Sequence, residues 1–293
     1  MPAGLSHYLL AKSLVQTFEK QNKNCDAGAV LFGAQVPDLL YLYTFLKKSE
    51  PNLGVYVHRH NSREVFESFK RNADSLTDDS FVYGYLSHYA FDVTVHPYVY
   101  WLEHFYLSRE ERAKKSKFHF QIESDFDVFL YRKFFGEMDY TFPYADRSEP
   151  GEADRTEIWI LLRDMFREVF HQSVEHKKFE RSWFNYKRFN RFKADPFFWK
   201  RKFLLTAENV LHLKHSSSML FQRKDPDERV LNLSHEVWYN PFDEEKRSTE
   251  DFFQLFDRAL ALASALCEKF DRGEIDGEFE LHLLQATQPE LFS

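Results

Sequence analysis

The segment Gly84-Tyr85-Leu86-Ser87-His88-Tyr89-Ala90-Phe91-Asp92-Val93-Thr94-Val95-His96-Pro97 constrains the fold more than any other stretch of the chain. His88, Asp92 and His96 recur at i, i+4 and i+8. At ~100° per residue they fall within about 80° of one helix face. Tyr89, Ala90, Phe91, Val93 and Val95 fill positions between them. The spacing predicts an apolar helix that carries a polar stripe. Burying such a stripe without partners costs free energy, so something must satisfy it.

Further pieces supply the same residue types. His119-Phe120-Gln121-Ile122-Glu123 repeats the i, i+4 spacing and sets an imidazole beside a carboxylate. Gly33-Ala34-Gln35-Val36-Pro37-Asp38 puts Asp38 near a helix start, with Pro37 in the first turn. His58 follows the loop at Gly54, and His7 lies in the first helix. Each piece has an ordinary reading of its own: a hydrogen-bonded core histidine, an exposed His/Glu pair, a helix cap. Together, five histidines and three carboxylates form the donor set of a hydrolytic zinc site. The only cysteines are Cys25 and Cys267, with no CxxC. Neither a thiolate zinc site nor a disulfide framework is expected.

The chain of 293 residues has only 9 Gly and 10 Pro, against 32 Phe, 15 Tyr and 5 Trp. Few breakers and many long side chains favour helices over a sandwich with many turns. Helices are expected over 3–21, 39–47, 62–76, 79–106 with an interruption at Pro97, 117–136, 156–175 and 248–272. Gly273 is the expected stop of the last. Strand signals are weak throughout. The expected fold is all-α, a single multi-helix domain over 1–293. Its metal-ligand part is 1–136, and a C-terminal helical part spans 156–293, after a polar excursion at 137–155. The first residues show no basic start followed by an apolar run, and no stretch approaches the ~20 apolar residues of a membrane span. A soluble, cytoplasmic protein is expected. A net charge of −7 speaks against a general nucleic-acid binder.

The order of these pieces resembles the zinc-dependent phospholipase C family, whose superfamily also holds zinc-dependent single-strand-specific nucleases. The likeness is to its bacterial branch without export signals. It rests on Ser6-His7, Gly33 to Asp38, Leu53-Gly54-Val55-Tyr56-Val57-His58, Gly84 to Pro97 and His119 to Glu123. Leu231 to Pro241 also fits that branch, whereas 137–230 carries almost no motif. The resemblance implies an all-helical domain with two or three zinc ions in a cleft between helices. It implies that Asp38, His58, His88 and Asp92 hold one ion and that Asp92 bridges to a second, held with His7. His96, His119 and Glu123 would hold the third. His60 is a close rival of His58. Exported relatives complete the bridged site with an N-terminal Trp, and Met1 to Leu5 contain none. His235 is one candidate substitute, or else a structural residue beside Trp238.

Such ions acidify water toward neutrality and neutralise charge on phosphate oxygens. The implied function is hydrolysis of a phosphate ester, a phosphodiester before others, with Asp38 as ligand and general base. A phospholipid is one such substrate. Two other functions suit the same residues. One is a non-catalytic, metal-stabilised helical protein that binds a lipid or protein partner. The other is a zinc-dependent nuclease. Between Lys177 and Phe203 stand 10 Lys/Arg and 10 aromatic residues, broken by Asp195-Pro196. A core helix with a solvated basic face is the plain reading of this segment. Peripheral contact with an anionic membrane and a nucleic-acid groove are the alternatives.

Overall fold

The computed structural model describes residues 4–43, 52–59, 61–103, 118–211, 220–241 and 243–280. The helices in chain order are α1 (Gly4–Lys20), α2 (Ala27–Gly33), α3 (Val36–Leu39), α4 (Leu53–Arg59), α5 (Ser62–Asn72) and α6 (Leu76–Trp101). They continue with α7 (Phe118–Phe135), α8 (Tyr144–Arg147), α9 (Glu152–Phe170), α10 (His176–Lys193), α11 (Trp199–Val210) and α12 (Phe252–Arg272). The class is all-α, as expected.

The central element is α6. Ser75 caps its start by accepting the Asp78 N–H at 3.0 Å. Nearly every side chain from Ser80 to Trp101 is buried. A helix apolar on all sides must be enclosed on all sides. Here α12, α2, α1 and α9 enclose it. Asp251 and Gln254 form a capping box that starts α12, and Gly273 ends it in the left-handed conformation at φ 73°.

The crossing of α2 on α6 is unusually close. A Cβ at Gly84 would lie 1.9 Å from the Val30 carbonyl oxygen, and one at Gly33 would lie 2.1 Å from that of Phe81. Only a pair of glycines permits this approach. It brings the Ala34 carbonyl, at the end of α2, against the side of α6 that carries His88.

Three expectations need correction. The helix 79–106 is not interrupted at Pro97: α6 starts at Leu76 and runs through Pro97 to Trp101. Pro97 removes one backbone donor. The burial of Val95, Tyr98, Val99 and Trp101 around it keeps the turn helical. The helix of 39–47 is a short α3 that passes into a 3₁₀ turn at Leu40–Leu42, and 44–50 lies outside the described residues. An antiparallel hairpin, β1 (Trp238–Asn240) with β2 (Asp243–Ser248), was not expected. Its buried Trp238 donates Nε1–H to the Glu250 carbonyl at 3.0 Å and packs on Tyr98 of α6. Among the described residues no helix is long and apolar enough to cross a membrane.

Candidate metal centre

Five helices bring the eight singled-out residues together. His7 comes from α1, Asp38 from α3 and His58 from α4. His88, Asp92 and His96 come from α6, and His119 and Glu123 from α7. All are buried except His58, His96 and His119, which are partly exposed. Three groups have donor atoms close enough for one metal ion each: His7, His88 and Asp92; Asp38, His58 and His88; and His96, His119 and Glu123.

Asp92 joins these groups. Its Oδ1 lies 3.5 Å from His7 Nε2 and 3.6 Å from His96 Nε2. Its Oδ2 lies 3.3 Å from His88 Nε2 and 3.8 Å from His58 Nε2. Asp38 Oδ1 is 3.7 Å from His58 Nε2. Glu123 Oε1 is 3.3 Å from His96 Nε2 and 3.1 Å from His119 Nε2. One carboxylate in reach of four imidazoles is the polar stripe of the sequence satisfied in three dimensions.

The tautomers favour a cation. His58 Nδ1–H donates to the Gly54 carbonyl at 2.7 Å, and His88 Nδ1–H to the Ala34 carbonyl at 3.0 Å. Each ring therefore turns Nε2 inward as an acceptor. The two Nε2 atoms lie 3.1 Å apart. Facing lone pairs repel unless a proton or a metal ion lies between them. Backbone carbonyls that fix a ring's tautomer are a common support of metal-binding histidines. His7 is stacked on His88 with ring centroids 3.8 Å apart. The donor set of imidazole and carboxylate, with no thiolate, suits zinc.

The charges follow from this enclosure. Burial, with His88 adjacent, drives His7 down to about 3 and His58 to about 4. Burial also opposes charge on His88, but Asp92 and Asp38 outweigh it and raise its pKa. Burial is likewise overcome at His119, which Glu123 and Glu103 lift to about 10. Burial would raise the three carboxylates. The surrounding imidazoles reverse this at Asp92 and Glu123 and hold both well below their usual range.

Several residues at the site escaped sequence reasoning. Glu103, just beyond the end of α6, accepts from His119 Nδ1 at 3.3 Å. It continues the His88, Asp92, His96 stripe, since 15 residues at ~100° return it to the same face. That signal was available. Asp127 accepts both the N–H and the hydroxyl of Ser6, at 2.7 and 2.6 Å, and so pins α1 one residue before His7. Burial pushes Asp127 up to about 7. Lys193, at the end of α10, lies within electrostatic reach of Asp127, Asp38 and Glu123. With Asp127, Asn190 and Tyr144 it lines a cleft of about 290 Å³. No pattern in the sequence links those positions. His60 and Met1 to Ala3 lie outside the described residues. His235 is exposed, bonds the Thr249 carbonyl through Nδ1 at 3.0 Å, and belongs to none of the three groups.

The model of the zinc-dependent phospholipase C family matches residues 6–171, more than half of the chain. The chain belongs to this family. The matched span contains all eight clustered residues. Neither curated proteins nor solved structures give a match.

Proposed function

We propose that this protein is a zinc-dependent hydrolase of phosphate esters, phosphodiesters before others, built as one helical unit. The observation that carries the reading is the position of Asp92, which belongs to one candidate metal group and lies within 3.8 Å of a histidine of each of the other two. In this reading His7, Asp38, His58, His88, Asp92, His96, His119 and Glu123 hold two or three zinc ions. Zinc there supplies Lewis acidity, acidified water at neutral pH and charge neutralisation at a bound phosphate.

The chain's own groups have distinct tasks. Ionised Asp38 takes a proton from the attacking water. The Ala34 and Gly54 carbonyls keep the His88 and His58 Nε2 atoms turned inward. Glu103 does the same for His119. Lys193, which lines the neighbouring cleft with Asp127, offers a cation to a phosphate oxygen. Family membership and the donor set support the reaction class. A phospholipid is the substrate class that the family's description favours.

A turnover panel tests the reading. Zinc-loaded protein should hydrolyse bis-nitrophenyl phosphate or nitrophenyl phosphorylcholine, and Lys193→Met should lower kcat/KM about a hundredfold with zinc content retained. Cleavage of single-stranded DNA alone would favour a nuclease. No turnover with zinc bound would leave a metal-stabilised, non-catalytic protein.

A further inference from the structure

Helix α11 is built inside out. Its one buried side chain is Glu208. Arg201, half-buried on the same side, donates to Gln121 Oε1 at 3.1 Å and to the Phe221 carbonyl at 2.9 Å. The opposite side carries Trp199, Phe203, Thr206 and Val210, which fall within about 60° of one another at ~100° per residue. Trp199 is 60% exposed, Phe203 66% and Val210 71%. Phe197, just before the helix, is 82% exposed. More than half of the exposed large apolar side chains among the described residues lie between Phe184 and Leu211. A helix in contact only with water and its own core places such residues inward. The inner aromatics of α10, Phe179, Trp183 and Tyr186, do pack inward. The plain core reading therefore fits α10 and fails for α11.

We propose that the outward face of α11, with Phe197, docks on a lipid bilayer that bears anionic headgroups. Aromatic and aliphatic side chains on one face, flanked by cations, suit the boundary between headgroups and acyl chains. Lys200 and Lys202 flank the stripe on either side, and Glu208, the one acidic residue of the helix, is buried on the far face. A second copy packed face to face would set these cations against their own counterparts. The location has a consequence for catalysis. Gln121, which Arg201 grips, lies on α7 between His119 and Glu123. Docking by α11 would hold α7, the helix that carries His119 and Glu123, close to the bilayer. This inference rests on the phospholipid reading for its purpose, but the docking itself can be tested apart from it.

The experiment is co-sedimentation of the zinc-loaded full chain with vesicles of phosphatidylcholine and phosphatidylglycerol, beside vesicles of phosphatidylcholine alone. The double variant Trp199→Ser/Phe203→Ser changes only exposed side chains, and an unchanged thermal midpoint would verify its fold. The wild type should bind the anionic vesicles, and the variant should bind them about tenfold more weakly or less. Failure of the wild type to bind, equal binding by the variant, or equal binding to both vesicle types would overturn the proposal. So would a wild-type dimer that the variant dissociates, since a second copy would then cover the face. Vesicle binding without turnover of any phosphate ester would break the hydrolase reading and leave the docking intact. Turnover of a water-soluble ester without vesicle binding would break the docking alone.

Discussion

At the scale of single residues, the centre depends on carboxylates that keep imidazoles in one orientation. Glu103 is the sharpest case. It makes no direct part of a candidate metal group, yet it holds His119 Nδ1. Glu103→Gln should weaken zinc binding by about ten- to a hundredfold while the fold persists. Competition titration with a zinc-sensitive dye measures this, and an unchanged affinity would remove Glu103 from the centre. The raised pKa of His119, about 10, has its own consequence. At pH 8 the metal-free ring carries a proton that a metal ion must displace. Zinc binding should therefore release protons at pH 8, and affinity should rise with pH by about tenfold per unit for each proton released. Calorimetry in buffers of different ionisation enthalpy reads the release directly. His88, Asp92, His96, His119 and Glu123 could be read from the sequence because i, i+4 spacing writes a helix face into the chain, whereas only the family resemblance joined His7, Asp38 and His58 to them. Asp127 and Lys193 could not, because only tertiary packing brings them to the site.

At the scale of elements, the crossing of α2 on α6 sets the Ala34 carbonyl where His88 needs it. Gly33 and Gly84 make that crossing possible. Gly84→Ala would force a methyl group into the Val30 carbonyl, and the helices would have to part. The expected cost is about 3 kcal/mol, at the upper end of overpacking. Thermal or urea denaturation of the variant measures it, and a loss below about 1 kcal/mol would mean the crossing relaxes easily. The helices themselves were legible where apolar periodicity is strong, as in α1, α7 and α12. The extent of α6 was misread at Pro97, because burial on every side outweighs one lost hydrogen bond. The hairpin of β1 and β2 was missed because Asp243–Ser248 is mostly charged and shows no apolar alternation.

At the scale of the whole molecule, one apolar cluster extends from Leu5 to Phe279 and meets the candidate metal centre where Phe91 packs on His7. The described parts of the chain thus place three carboxylates and five imidazoles inside a helical core. Without a bound cation their charges and lone pairs are held together only by protons and by each other. Zinc that binds the folded chain alone should stabilise it by about 4 kcal/mol at a thousand times the dissociation constant. A chelator should lower the thermal midpoint accordingly, and scanning calorimetry with and without chelator measures the shift. The class of fold was legible because glycine and proline are scarce and long side chains abundant. The inverted face of α11 was not, since sequence periodicity shows that a helix has an apolar stripe but not which way the stripe points.

The central claim is that these eight residues hold metal. Metal content per chain, by elemental mass spectrometry on protein purified without chelator, tests it most directly, with Asp92→Asn and His119→Ala measured alongside. The account predicts two or three zinc ions in the wild type and fewer in each variant, with the larger loss in Asp92→Asn because Asp92 joins the groups. A folded wild type without bound metal would contradict it and leave the cluster as a buried polar network.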